Sequence, residues 1–237
     1  MDLSELLSFI SFICNKEQSG NTMSPSQYNT LLPVANTMLF REKYKYFETS
    51  QQFSDALLPF KVWMGKDGVA PLFIDSNGYA NIPSDYCHYS SFSYKRVTST
   101  NTGDASCEPT IDYRQIIVLS DQEYDYYKTC GLKRPNFKYP VCNFQNGMIR
   151  FLPVNLQQVD FVYLKNPAKP VYAYTFNTVT DYYDYDVANS VQLEWKEPEV
   201  LELANIILSM IGINLRESEL FTYAQLRESE NKLDNKS

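Results

Sequence analysis

The 237-residue sequence contains a single histidine, His88, so any Ser-His or Cys-His mechanism has only this imidazole to use. Neither a nucleophile nor an orienting acid is marked around it, and on a strand the adjacent Cys87 points to the opposite face. A cysteine pair at the two-to-four-residue spacing of a structural zinc knuckle is also missing. Cys14, Cys87, Cys107, Cys130 and Cys142 are scattered and odd in number, which fits reduced thiols and a cytosolic folding compartment better than a disulfide framework. Gly65, Gly68 and Gly78 compose neither a dinucleotide fingerprint nor a phosphate loop, and no G-x-S-x-G elbow occurs. Asp181, Asp184 and Asp186 lack the glycine and distal glutamate of a calcium loop and read as a solvated acidic loop. These absences leave no catalytic residue, cofactor or metal to assign, and the expectation is a protein that is not an enzyme.

Positive charge is scarce as well. With 21 basic against 28 acidic residues, the net charge of -7 excludes the broad electropositive footprint of a specific nucleic-acid binder. The longest apolar run, LANIILSMIGI at 203–213, is too short to span a bilayer, so no membrane role is expected. The opening MDLSELLSFISFIC carries Asp2 and Glu5 and no positive n-region, unlike a signal peptide. What remains is an ordinary globular composition, 44% apolar and 21% charged, in a chain long enough to bury a core. Tyrosine is abundant, with 19 copies beside 14 phenylalanines, and either lines sheet faces or serves contact surfaces.

The order of elements is legible. Leu3, Leu6, Leu7, Ile10 and Ile13 share a helical face behind an Asp2/Glu5 capping box. Ser24, Pro25 and Gln27 open a second helix through Tyr28, Leu31, Leu32, Ala35, Met38 and Leu39 towards Tyr46, with Pro33 placed to bend or break it. From about Leu57 the period becomes that of strands. Asn77-Gly78 and Asn146-Gly147 each predict a hairpin tip, because Asn-Gly supplies positive φ. STNTGDAS at 99–106 reads as a loop between strands near 86–98 and 111–119. Ser120, Glu123 and Gly131 bracket one embedded helix. A strand at 171–176, a polar loop DYYDYD at 181–186 and an alternating run VQLEW at 191–195 follow. Pro198 opens a helix with Val200, Leu201, Ala204, Ile207, Leu208 and Ile211 on its apolar face and Gly212 at its end. A last helix spans about 218–232, before a polar tail.

The expected fold is therefore α+β. A helical bundle of the N- and C-terminal helices packs with a central antiparallel β region carrying one embedded helix. The segments are 1–56 (helical), 57–196 (β-rich, with the helix at 120–131) and 197–237 (closing helices and tail), together one domain.

A series of short stretches, in order, carries a resemblance. These are QSGNTMSPSQYN (18–29), LLPF (57–60), GYANIPSDYCHY (78–89), KYPV (138–141), VDFVYLKNPAKPVY (159–172) and LEWKEPEVLELANIILSMIGINLRE (193–217). Together they resemble the ring-forming head-to-tail adaptors of tailed bacteriophages, most closely the structural ring proteins of crAss-like phages that infect gut Bacteroidales. The resemblance implies an adaptor-like fold and a homo-oligomeric ring, usually of twelve copies, at the portal–tail vertex of the virion. Its implied partners are the portal protein, neighbouring tail rings and DNA passing through the lumen without sequence recognition. It implies no catalytic residues. On this reading the terminal helices form the ring's helical layer, and Asn77, Gly78, Asn146 and Gly147 lead the hairpins towards neighbouring rings. Phe221, Tyr223 and Leu226 either touch the portal or next subunit or close the subunit's own core. Pro167 and Pro170 remove two backbone donors and hold φ near about -65°, making N-P-A-K-P either a stiff link that sets an angle or an ordinary loop. A different class of function, a carbohydrate- or receptor-binding tail module, is suggested by DYYDYD and the tyrosine content.

Overall fold

The computed structural model describes residues 1–17, 23–66, 68–98, 110–178 and 182–215. The chain divides into two compact units, unit 1 from Met1–Phe60 with Pro167–Ser237 and unit 2 from Lys61–Asn166. Unit 2 ends at Asn166. Residues 167–196 fold with the helices, and the link N-P-A-K-P begins where the chain leaves unit 2.

In unit 1, α1 (Leu3–Glu17) starts on the reciprocal Asp2/Glu5 box: the Glu5 amide donates to Asp2 at 2.7 Å and the Asp2 amide to Glu5 at 2.9 Å. The second helix, α2 (Pro25–Tyr44), carries the Ser24/Gln27 box and runs unbroken through Pro33. A mid-helix proline costs about 3 kcal/mol, but Tyr28, Leu32, Ala35, Leu39 and Phe40 are buried along the same helix at about 1.5–3 kcal/mol per large side chain. A short helix α3 (Gln51–Ala56) and a 3₁₀ turn at Leu58–Phe60 follow. The last described helix, α5 (Glu197–Leu215), continues past Gly212. It buries Val200, Leu203, Ala204, Ile207, Leu208 and Ile211, while Leu201, expected inside, is exposed. Both α1 and α2 pack on α5.

The remaining side of this layer is not helical. Asn29 of α2 binds the Tyr172 backbone as a strand would, its Oδ1 accepting the Tyr172 amide and its Nδ2 donating to the Tyr172 carbonyl, each at 2.8 Å. Buried Asn36 donates to the Ala168 carbonyl at 3.1 Å and accepts the Trp195 indole N–H at 2.6 Å. Lys43, also buried, meets Glu202 of α5 at 2.6 Å and lies 5.0 Å from the Phe53 ring centre. These three polar residues recur every seven positions, so they share one face of α2. Sequence patterning placed Met38 inside; it is half exposed, and Asn36 and Lys43 take the interior.

Unit 2 is one curled sheet. Its strands are β1 (Lys61–Met64), β2 (Leu72–Phe73), β3 (Tyr79–Asn81), β4 (Tyr86–Thr98), β5 (Thr110–Val118), β6 (Val141–Gln145), β7 (Met148–Leu152) and β8 (Gln158–Lys165), with α4 (Asp121–Thr129) between β5 and β6. The order is β1-β8-β4-β5-β6-β7-β3, and β2 also pairs with β8. All pairs are antiparallel except β5 with β6, whose parallel alignment requires the crossover that α4 supplies. The inner face collects Val159, Phe161 and Tyr163 of β8, Phe92 of β4, Ile116 of β5, Cys142 of β6 and Ile149 and Phe151 of β7. Phe92 is the hub: it opposes Phe161 across the ladder, stacks on it at 4.3 Å and meets Phe151 edge-on at 5.7 Å.

These observations correct the expected fold class. The protein is mixed α/β, dominated by a curled eight-stranded sheet that includes a parallel pair, and its helices do not form a bundle. The physical reason is that extended chain, held by Asn29 and Asn36, covers the side of α2 that a further helix would have covered. The helix expected at 218–232 lies outside the described residues. So do Phe221, Tyr223 and Leu226 and the loop at 99–106.

The two Asn-Gly turns differ. Asn146 (φ 49°) and Gly147 (φ 75°) close a two-residue turn in which Gln145 opposes Met148, joining β6 to β7. Asn77-Gly78 also turns tightly, with Asp75 Oδ1 accepting the Asn77 and Tyr79 amides, but β2 and β3 pair with different strands, so no hairpin forms there. Gly78 is held to glycine by φ 85° and by the Phe151 carbonyl, 2.9 Å from where a Cβ would stand.

Replacing Asn36 by Ala should leave the Trp195 N–H and the Ala168 carbonyl without their partner and destabilise the protein by about 2–4 kcal/mol. Denaturant unfolding monitored by tryptophan fluorescence measures this. A loss under about 0.5 kcal/mol would show that the Asn36 bonds contribute little.

Candidate interaction surfaces

The first surface is a two-stranded sheet in unit 1, β9 (Tyr174–Asn177) paired antiparallel with β10 (Tyr182–Tyr185). It replaces the polar and aromatic loop expected at 181–186, because aromatic residues favour strands. VQLEW, expected as an alternating strand, contributes only the Val191–Val171 bridge. Its Trp195 is drawn into the core by Asn36.

The register sorts the side chains by chemistry. Phe176 opposes Tyr183 and Tyr174 opposes Tyr185, which makes one face wholly aromatic. Thr175 opposes Asp184 and Asn177 opposes Tyr182, which makes the other face polar, with Asn177 Nδ2 donating to Asp184 at 2.9 Å. The aromatic face is a continuous ladder. Tyr28 of α2 meets Tyr172 edge-on at 5.7 Å, Tyr172 stacks on Tyr185 at 4.6 Å, Tyr174 meets Tyr183 at 5.2 Å, and Tyr183 meets Phe176 at 5.3 Å. Burial falls along it, from Tyr172 at 5% exposure to Phe176 and Tyr183 at 51% each. Burial also pushes the Tyr28 hydroxyl far above its usual pKa. Tyr182, on the polar face, is the most exposed ring of the sheet.

Asp186 follows β10 as a turn residue. It accepts the Ala188 and Asn189 amides and the Asn189 side chain, and the Asn189 bonds hold its carboxyl below the usual range. Asp186 is thereby committed to local structure, whereas Asp184 stands on the strand; Asp181 lies outside the described residues.

The second surface belongs to unit 2. The stretch from α4 into β6 presents Lys128, Lys133, Arg134 and Lys138 together with exposed Tyr126, Leu132, Phe137 and Tyr139. Lys133 lies 5.9 Å from the Tyr126 ring centre and 5.8 Å from that of Tyr127, and Lys138 lies 5.5 Å from that of Tyr139. Asn136 Oδ1 accepts the Lys138 and Tyr139 amides and fixes the turn. Lys128 and Arg134 also line a cleft of about 350 Å³ with Pro135, Leu152, Pro153, Val154 and Asn155. No carboxylate is among these lining residues.

The link prolines differ in burial: Pro170 is buried and Pro167 half-buried, with the Ala168 amide between them donating to Glu194 at 3.1 Å. His88 is half-buried on β4, and desolvation lowers its pKa. Of the cysteines, Cys107 lies outside the described residues, Cys14 and Cys142 are buried, and Cys87 and Cys130 are half-buried. Among the described residues no three His, Cys, Asp or Glu side chains converge on a metal-sized site, and no helix is long and apolar enough to cross a membrane.

Sequence reasoning missed both surfaces as such. Their signals were present: the aromatic density of Tyr182–Tyr185, and a stretch between Asp125 and Asp160 with five basic residues and no acidic one. No protein-family model matches the chain, and no curated protein matches it.

The two cysteines nearest the second surface should differ in reactivity. The Lys133 amide, the Tyr126 hydroxyl and the Leu132 amide lower the Cys130 pKa, while burial pushes that of Cys142 up to about 12. Iodoacetamide near neutral pH, read by peptide mass spectrometry, should modify Cys130 well before Cys142. Raised by folding, the Cys142 pKa also adds stability that is present below pH 9.0, its ordinary value, and lost as pH climbs towards about 12.

Proposed function

We propose that this protein is a structural subunit of a tailed-phage virion. Copies of it form a ring, twelve in the related adaptors, that joins the portal to the tail and lets DNA pass through the lumen. Its role is contact and shape, and it carries out no reaction. The observation that carries this reading is the aromatic ladder of β9 and β10, anchored at Tyr172 and ending in the exposed rings of Phe176 and Tyr183. Large rings held out on a fixed strand pair lose little conformational freedom when covered, which suits a permanent subunit contact.

The ordered stretches resembling crAss-like phage ring proteins support the same reading, and three of them, LLPF, VDFVYLKNPAKPVY and LEWKEPEV, cover the points where the chain enters and leaves unit 2 and the start of α5. Charge supports it too. Unit 1 carries 10 basic and 18 acidic residues, a net -8, and unit 2 carries 11 and 10, a net +1. An acidic unit 1 along the lumen would repel phosphates and keep DNA from adhering. A second reading, a carbohydrate- or receptor-binding tail module, is favoured by exposed rings beside Asp184 and Asn177, since sugars stack on aromatic faces and bond to carboxylates.

Cryo-electron microscopy of the source particle decides between them. The expected result is this chain traced as a closed ring between portal and tail. Its location at a fibre tip, with glycan binding lost in Tyr183→Ala, would favour the second reading instead. Discovery of the protein outside particles, turning over a metabolite, would overturn both.

A further inference from the structure

The ring reading requires each copy to present two different surfaces that fit each other, and the two surfaces described above are opposite in charge. Between Asp125 and Asp160 the basic residues are Lys128, Lys133, Arg134, Lys138 and Arg150, with no acidic residue. The polar face of the β9–β10 sheet carries one carboxylate, Asp184, and no basic residue. Asp184 and Tyr182 project from the polar face of the β9–β10 sheet, Tyr182 at 74% exposure. Among the described residues neither Lys128 nor Arg134 forms an ion pair, although the cleft they line has room for a carboxylate and its apolar stem.

We propose that the Lys128/Arg134 cleft of one copy docks the polar face of the β9–β10 sheet of a second copy, with Asp184 entering the cleft. Tyr182 then covers Leu132, which is fully exposed in the single chain, and Tyr139, while Lys133 and Lys138 border the contact. The Asn136 turn and the Asn177–Asp184 bond hold the two partners in shape before they meet. Exposed ion pairs contribute modestly, so the covered rings supply the affinity and the charges set the register and exclude misaligned pairings. Because the two surfaces are different, the contact is heterologous: each copy gives its sheet to one neighbour and its cleft to the other. The inference rests on the ring reading and names its joint.

The test is sedimentation velocity of the full chain from low to high micromolar concentration, at low and high salt. Wild-type protein should associate with concentration and weaken as salt rises, by about 10-fold or more. Asp184→Lys should abolish association, as should Lys128→Glu/Arg134→Glu, and a chain carrying all three changes should recover it. Thermal unfolding equal to wild type, expected for exposed positions, excludes misfolding as the cause of loss. Association that persists unchanged in both variants would overturn the proposed joint while leaving the ring reading intact. Strictly monomeric wild-type protein across the range would also overturn it, and the particle image would then decide the ring separately.

Discussion

The structure of unit 1 depends on three polar side chains along one face of α2. An extended backbone packed against a helix has donors and acceptors that no strand pairs, and leaving them buried and unbonded would cost more than the packing returns. Asn29 solves this at Tyr172 by offering an amide that copies the hydrogen-bond pattern of a neighbouring strand. Asn36 donates to the Ala168 carbonyl and accepts the Trp195 indole N–H, while the Ala168 amide is taken by Glu194. Lys43 closes the series on Glu202 of α5. With these bonds in place the segment from Pro167 to Ala173 runs along the helix, and β9 and β10 continue from its end.

The aromatic ladder follows from that anchoring. Tyr172 is fixed by Asn29 through its backbone and by Tyr28 through its ring, so it serves as a rigid base on which Tyr185 stacks. Burial falls along the rings that follow, from Tyr172 at the base to Phe176 and Tyr183, which are equally exposed at the far end. A two-stranded sheet alone is marginal in water. Here the stack at its base stabilises it, while the rings at its far end, Phe176 and Tyr183, remain half exposed. Unit 2 uses its aromatic residues differently, enclosing Phe92, Phe151 and Phe161 inside the curl of the sheet.

Charge is partitioned as sharply as the aromatic residues. The overall -7 conceals a unit 1 at -8 and a nearly neutral unit 2, four of whose eleven cations lie around the end of α4.

The local elements were readable because their causes are local. The capping boxes at Asp2/Glu5, Ser24/Gln27 and Ser120/Glu123 start α1, α2 and α4, and strand periodicity located β4 and β5 within a residue or so. Tertiary structure alone decided how the elements combine. Asn36 and Lys43 look like surface residues until the chain that covers them is known, and their heptad spacing on α2 shows only once Ala168, Trp195 and Glu202 are seen beside them. The Asn77-Gly78 turn forms from its own residues, but which strands then pair depends on β7 and β8, distant in sequence. Pro33 was expected to bend or break α2 because its cost is local, whereas the burial that keeps the helix whole comes from its entire length. Backbone preference is written residue by residue; the bundle was expected wrongly because pairing partners for buried polar groups are supplied by segments more than a hundred residues away.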